Sequence, residues 1–367
     1  MTGQTTTTIH NQAQMNAQRW QALAEDRCAL CGLSVYAQIF IGLALYLYTH
    51  VSTPGYLSIL LSLPYALLLL FLARKTAAQS GGQGLVLPRL AAFPFLLLHL
   101  FNAQLVSLSL CAILMDAMPE QSLWKMALLL SPALAWANSG RREDALSRLS
   151  RFLKWVILVL LGYALVTAFP YGSAAYFFPL LGYGWKSVGQ GALWMCGAVS
   201  GCVWPLLTPQ NSQTLSPMLT KKSAAVKPAL LSILAGCGTM LVSVWLMPVY
   251  AMSRPETLGW RLMLATNMTP SIPAWSMVVI GILLLFFLSL SYHVTQAAAL
   301  ISTKKEPPSG WLLLFLMLLL TPCSVLQFPD ILETLSRIAL FRGPLTLSLL
   351  LLLSIRGKKQ RKEGAAA

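Results

Sequence analysis

Carboxylates are what this chain most conspicuously lacks. Its 367 residues include 11 Asp and Glu against 26 Lys and Arg, and charged residues of both signs make up 10%. No acidic residue occurs in residues 28–115, 145–255, 257–305 or 334–362. A proton pump built on a carboxylate relay needs ionisable groups at mid-membrane depth, so that class is disfavoured. Catalytic signatures are missing too: there is no G-x-S-x-G elbow, no phosphate-binding glycine loop with Lys, no H-E-x-x-H, and no Ser/His/Asp set that can be brought together. An enzyme is not expected. A cleaved signal peptide would need a short apolar core close behind a basic amino terminus, yet residues 1–27 are polar and the first apolar segment starts at Cys28. Seven cysteines (28, 31, 111, 196, 202, 237 and 323) lie within or beside apolar segments, and only Cys28 and Cys31 are close in sequence. Without a second pair or a nearby His they read as small hydrophobes in helix packing, with no metal and no cofactor expected.

What the chain has is apolar length. Hydrophobic residues make up 56%, more than a soluble domain of this size can bury, so an all-α polytopic membrane protein is expected. Runs near the ~20 residues that cross a bilayer fall at 28–49, 55–72, 90–114, 121–138, 152–169, 187–207, 228–250, 273–300, 310–326 and 335–355, ten in all. The expected organisation is a polar cytosolic tail (1–27), a transmembrane domain (28–355) and a basic cytosolic tail (356–367).

The net charge of +15 follows from where the basic residues sit. They cluster in short stretches beside apolar runs, which is the positive-inside pattern and not a nucleic-acid face. With the amino terminus inside, only Lys125, Lys186, Arg254, Arg261, Arg337 and Arg342 fall on the outer side. The partners implied are a lipid bilayer and a small solute, with no nucleic acid.

Polar residues inside apolar segments are the candidates for binding. His99 and Asn102 lie at i,i+3 on one face of the third segment. Tyr36 and Gln38 interrupt the first. The eighth holds Ser289, Ser291, Tyr292 and His293, with His293 towards the cytosolic half and read as packing or solvation. Each polar stripe either hydrogen-bonds between helices or lines a cavity. The sixth segment carries Gly189, Gly191, Gly197, Ser200, Gly201 and Pro205. Its Gly197-x-x-x-Gly201 spacing is either a close helix contact or an interrupted stretch whose backbone faces a ligand, with a half-helix amino terminus that favours an anionic group such as a carboxylate.

The stretch from Gly140 to Pro209 resembles a known family. Gly140, then Asp144, Ser147 and Arg148, match a turn of the form (E/D)-hydrophobic-(S/A)-R-hydrophobic. Pro179, Leu181 and Gly184 match a P-V-L-x-x-G loop leading into the sixth span. Together they resemble the B subunits of Ger-type spore germinant receptors, in the amino acid–polyamine–organocation transporter superfamily. The resemblance implies ten transmembrane helices in a 5+5 inverted repeat, with broken first and sixth helices. It also implies a pocket for a small nutrient, A- and C-type partner subunits, and the inner membrane of a bacterial spore. Tyr36, Gln38, His99, Asn102, Gly197, Ser200, Gly201 and Ser289 are the ligand-binding candidates on that reading; an ordinary permease for an amino acid or other small solute is the alternative. The family often has a Glu upstream of the proline closing the sixth span, and no acidic residue stands between Ser187 and Pro205 here.

The charge distribution makes topology testable. Reporter fusions after Ala137, Thr208 and Ala367 should place all three in the cytosol; a carboxyl tail outside would overturn the ten-span layout.

Overall fold

A computed structural model describes residues 2–79, 89–117, 143–207 (save 169, 171, 179 and 181), 222–246, 274–301 and 328–366. Regular structure among them is helical throughout. Helix α1 (Thr2–Gly42) continues as a π-helical stretch, Leu43–Val51. Then come α2 (Gly55–Gln79), α3 (Arg89–Ala117) and α4 (Glu143–Ala168). Helix α5 (Trp185–Val199) passes through a 3-10 turn, Ser200–Val203, into the short α6 (Trp204–Leu207). Helices α7 (Lys222–Leu246), α8 (Ala274–Ile301), α9 (Phe328–Ala339) and α10 (Arg342–Ala366) follow.

Among the described residues, six stretches are long and apolar enough to cross a membrane: Gln21–Val51, Gly55–Ala78, Phe93–Leu110, Val226–Trp245, Ile280–Ala297 and Thr334–Ile355. The chain is an integral membrane protein. The expected spans 152–169 and 187–207 fall on α4 and on α5 with α6, while 121–138 and 310–326 lie outside the described residues. Both tails are helical where described: α1 starts at Thr2, and the basic run after Arg356 continues α10.

Helix α1 is the hub. From Cys28 to Leu43 it is apolar nearly all round, and Leu30, Val35, Ile39, Ile41 and Leu43 are all buried. A helix without a polar face is stable only when enclosed. It packs against α7, α4, α8, α5 and α3, and these form two groups: α3 and α4 flank α8 on one side, and α2 touches α5, α7 and α10 on the other. The outer helices show apolar side chains outward. Phe152, Trp155 and Val159 on α4, Leu67 and Phe71 on α2, and Leu231 and Leu234 on α7 are all exposed. On a membrane protein this is the lipid face.

Charged and small residues fix the joints. Near the start of the first apolar stretch, Arg151 of α4 pairs with Asp26 of α1, its Nη2 donates to the Ala22 carbonyl at 3.3 Å, and Ser150 donates to the Asp26 carbonyl. The resemblance suggested Asp144 and Arg148 as the notable charges of this turn. Arg148 is exposed, the Asp144 side chain lies outside the described set, and Arg151 makes the interhelical contact. The carbonyl of Gly32 accepts from Ser232 of α7 at 2.6 Å, and a Cβ on Gly32 would stand 2.9 Å from the Pro228 side chain. At the α5–α10 crossing, a Cβ on Gly197 would meet the Ala339 carbonyl at 3.0 Å and Arg342 Cβ at 3.1 Å. A Cβ on the reciprocal Gly343 would stand 3.0 Å from Cys196 Cβ. Backbones this close require glycine on both sides.

Two expectations change. The first and sixth helices are not unwound: α1 loosens into π winding at Leu43, and α5 tightens into 3-10 winding at Ser200. The true break among the described residues is between α9 and α10, at Leu340–Phe341, in the last apolar segment. The Arg342-Gly343-Pro344 sequence beside it carries a turn signal, which reading 335–355 as one span passes over.

The glycine contacts differ enough along α5 to test packing directly. Gly197→Leu should lower stability by about 1–3 kcal/mol or more through overpacking. Gly189→Leu, at a position where a Cβ meets nothing within 4 Å, should stay within about 0.5 kcal/mol. Thermal unfolding of both variants in detergent gives the comparison.

Candidate functional site

The helices bring a set of polar side chains together near the centre of the apolar spans. Arg342, at the start of α10, is 3% exposed. Its Nη1 donates to Gln38 Oε1 of α1 at 2.9 Å and to Asn102 Oδ1 of α3 at 2.6 Å. Its Nε donates to the Ala339 carbonyl at the end of α9, at 3.3 Å. Gln38 Nε2 in turn donates to the Asn102 carbonyl at 3.4 Å. The guanidinium carbon lies 4.7 Å from the centre of the Trp194 ring and 5.7 Å from that of Phe101. Trp194 is itself bolted in place, since its indole N–H donates to the Ser336 carbonyl of α9 at 3.1 Å. Four spans therefore meet on one cation.

Sequence reading placed Arg342 with the outer-side charges, and this is corrected. The break at Leu340–Phe341 starts α10 inside the bundle, and the first residue of that helix points its side chain at α1 and α3. An Arg near the edge of an apolar run is ordinarily a snorkelling residue, so the run alone gives no reason to bring it inward.

A second chain of contacts lies beside the first. His99 Nδ1 and His293 Nδ1 are 3.1 Å apart, His293 Nε2 is 3.2 Å from Ser34 Oγ, and Ser34 Oγ is 3.0 Å from Ser289 Oγ. All four residues are buried. His99 can donate to His293, which donates to Ser34, which donates to Ser289. Reversing every donor satisfies the same contacts. The His99 ring also packs on Trp204, centroids 4.2 Å apart. His293 thus belongs to the interior network and not to a solvated cytosolic end: α8 carries it against α3, which is the heaviest packing contact of either helix.

Of the expected site residues, Gln38 and Asn102 hold Arg342, and His99 and Ser289 join through His293 and Ser34. Tyr36 points elsewhere, its hydroxyl 2.9 Å from Thr239 Oγ1 of α7. It is two residues from Gln38, so the two cannot share a helix face. Ser200 turns back on its own helix and donates to the Gly197 carbonyl at 2.6 Å. Gly201 packs against Val35, with its carbonyl accepting from Cys31 Sγ at 3.2 Å. The backbone at Gly197–Gly201 is therefore occupied by packing and capping. Cys28, Cys31 and Cys202 line a narrow crevice with Gly32 and Pro205, and all three are free thiols. Among the described residues no group of three His, Cys, Asp or Glu could hold a metal ion.

No family model matches the chain, and no curated protein matches it. Among solved structures it is similar to the Eremococcus coleocola manganese transporter. In complex with an aromatic bis-isothiourea substituted compound, that protein is 11% identical over 92% of this chain and 95% of its own, with a TM-score of 0.43. Two mutants of the same transporter are 13% identical over the same shares, with TM-scores of 0.36 and 0.37. Superpositions this loose transfer neither substrate nor mechanism.

The histidine pair gives a stability test. Replacing one ring strands a buried nitrogen on the other, so His99→Leu and His293→Leu should each cost about 1–3 kcal/mol. Removing both should cost clearly less than the sum of the two. Thermal melts of the three variants read this, and strictly additive losses would mean that the rings do not depend on each other.

Proposed function

We propose that this protein is a permease that moves a small organic solute across the membrane without covalent chemistry. The observation that carries the reading is the polar centre itself. Gln38, Asn102 and Arg342, with the His99–His293–Ser34–Ser289 chain alongside, occupy the interior of a bundle whose core is mostly apolar. Polar and charged groups at that depth are expensive, and they commonly mark a solute or ion path. Departures from α winding gather near it: the π stretch at Leu43–Val51, the 3-10 turn at Ser200–Val203 and the break at Leu340–Phe341. Secondary transporters bind near the midplane at such irregular segments, where one part of the bundle rocks on another.

On this reading the expected segments 121–138 and 310–326 complete a ten-span layout of two five-helix repeats. A divalent metal is a poor cargo for this centre, because a fixed guanidinium repels it and carboxylate ligands are absent from the surrounding spans by sequence.

The test is solute uptake into proteoliposomes holding the purified full chain, using labelled amino acids and small organic acids against protein-free vesicles. Uptake that Asn102→Leu abolishes while the protein remains folded supports the permease. Saturable binding with no flux under any applied gradient overturns it. That outcome is the one expected of a germinant-receptor sensing subunit, working with A- and C-type partner subunits in a spore inner membrane.

A further inference from the structure

We propose that Arg342 anchors a subsite for the carboxylate of the transported or sensed solute, with the free guanidinium nitrogen Nη2 as its principal donor. The inference deepens the permease reading and uses the same polar centre, but it concerns recognition and can be measured without flux.

The starting point is charge. Arg342 is buried, and each of its described hydrogen-bond partners is neutral: two side-chain amide oxygens and one backbone carbonyl. Amide oxygens satisfy N–H groups but leave the net charge uncompensated, and a buried cation without a counter-ion is strongly disfavoured. Sequence offers no remedy nearby, since no Asp or Glu occurs in residues 28–115, 145–255 or 334–362. Glu333 is the nearest acidic residue in the chain, and it lies six residues before the end of α9, about 9 Å along the helix axis. Among the described residues, Glu25 is exposed and Asp26 is committed to Arg151.

The second point is the unspent donor. Nη1 makes two bonds and Nε one, while Nη2 is buried and has no partner among the described residues. A guanidinium is a planar fork that pairs two-pronged with a carboxylate. With Nη1 turned to Gln38 and Asn102 and Nε to Ala339, the two N–H groups of Nη2 are what remains for an incoming anion.

The surroundings then define what fits. Trp194 and Phe101 lie over the guanidinium, which hold it by cation–π contact and orient its plane. Gly197 keeps the other approach narrow, because a Cβ there would stand 3.2 Å from Arg342 Nε. The amino-terminal end of the 25-residue α10 begins at this same residue, and its partial positive charge adds to the attraction for an anion. These features suit a single small carboxylate. They do not suit a bulky or doubly charged phosphate group, for which one free donor is too few. Nη2 is enclosed by protein, so binding requires the bundle to open. The break immediately before Arg342 is the segment that lets α10 and its side chain move relative to α9.

The test is thermal unfolding of the purified full chain in detergent, at constant ionic strength with chloride as reference. The probes are acetate, L-lactate, glycine, L-alanine and succinate, each beside its amide. At least one acid should raise the Tm of the unsubstituted protein, and its amide should not. Arg342→Gln should weaken that acid about tenfold or more, and Arg342→Lys should weaken it less, since it keeps the charge and loses the fork. If Arg342→Gln does not fold, the Lys variant decides: unchanged affinity overturns the proposal. Equal shifts by acid and amide, an Arg342→Gln protein that binds as tightly as before, or no shift from any acid would each overturn it too. Carboxylate binding through Arg342 with no flux in proteoliposomes would remove the permease reading and leave this inference standing. Flux untouched in Arg342→Gln would do the reverse.

Discussion

The constraint that governs the interior of this bundle is the cost of a guanidinium in an apolar surrounding. Once α10 starts at Arg342, the charge has to be held by something. Gln38, Asn102 and the carboxyl end of α9 supply acceptors, and Trp194 supplies an aromatic face. Those groups come from α1, α3, α9 and α5, so satisfying one side chain fixes the mutual placement of helices distant in sequence. Hydrogen bonds between membrane helices are individually modest, near ~0.6 kcal/mol each. Their value here is in specifying arrangement: any slide of α3 or α10 along α1 breaks several at once.

Packing permits what charge demands. Arg342 can lie against α5 only because Gly197 and Gly343 bring α5 and α10 close together. Gly197, which invites a ligand-binding reading from sequence, is spent on this contact. Ser200 and the Cys31 thiol then cap the carbonyls of Gly197 and Gly201. Two backbone carbonyls at the 3-10 turn are thereby satisfied locally, as membrane interiors require. The guanidinium is the exception, and this is why the recognition chemistry shifts from backbone dipoles to a side chain.

Much of the architecture was legible in the letters. Apolar length and the scarcity of charge were enough for an integral, all-helical protein. The described helices cover eight of the ten expected segments, and His99 with Asn102 pointed to the right face of α3. Two things were not legible. The first is the break at Leu340–Phe341: Arg342-Gly343-Pro344 beside it is a turn signal, but the apolar residues on either side read as one span, 335–355. The second is the pairing of His99 with His293 and of Arg342 with Gln38 across 194 and 304 residues of sequence. Periodicity assigns a residue to a face of its own helix but is silent about which helix that face meets. Arg342 failed on both counts, as a long basic residue near the edge of an apolar segment most often reaches for the interface.

The two polar chains also differ in kind, and that difference bears on how the centre works. The His99–His293–Ser34–Ser289 chain is self-contained: its donors and acceptors match in either direction, so it loses nothing by staying closed. The Arg342 cluster is unbalanced by one charge and one donor. An opening motion therefore has little to gain at the histidines and much to gain at the guanidinium, where water or an anion relieves the imbalance. Differential stabilisation of two states is what a ligand must supply to drive a conformational change. By that criterion the α9–α10 break is better placed than the π or 3-10 stretches to couple binding to movement. It is the joint that carries the unbalanced charge, while the π stretch leaves a neutral hydroxyl, that of Tyr48, without a partner among the described residues.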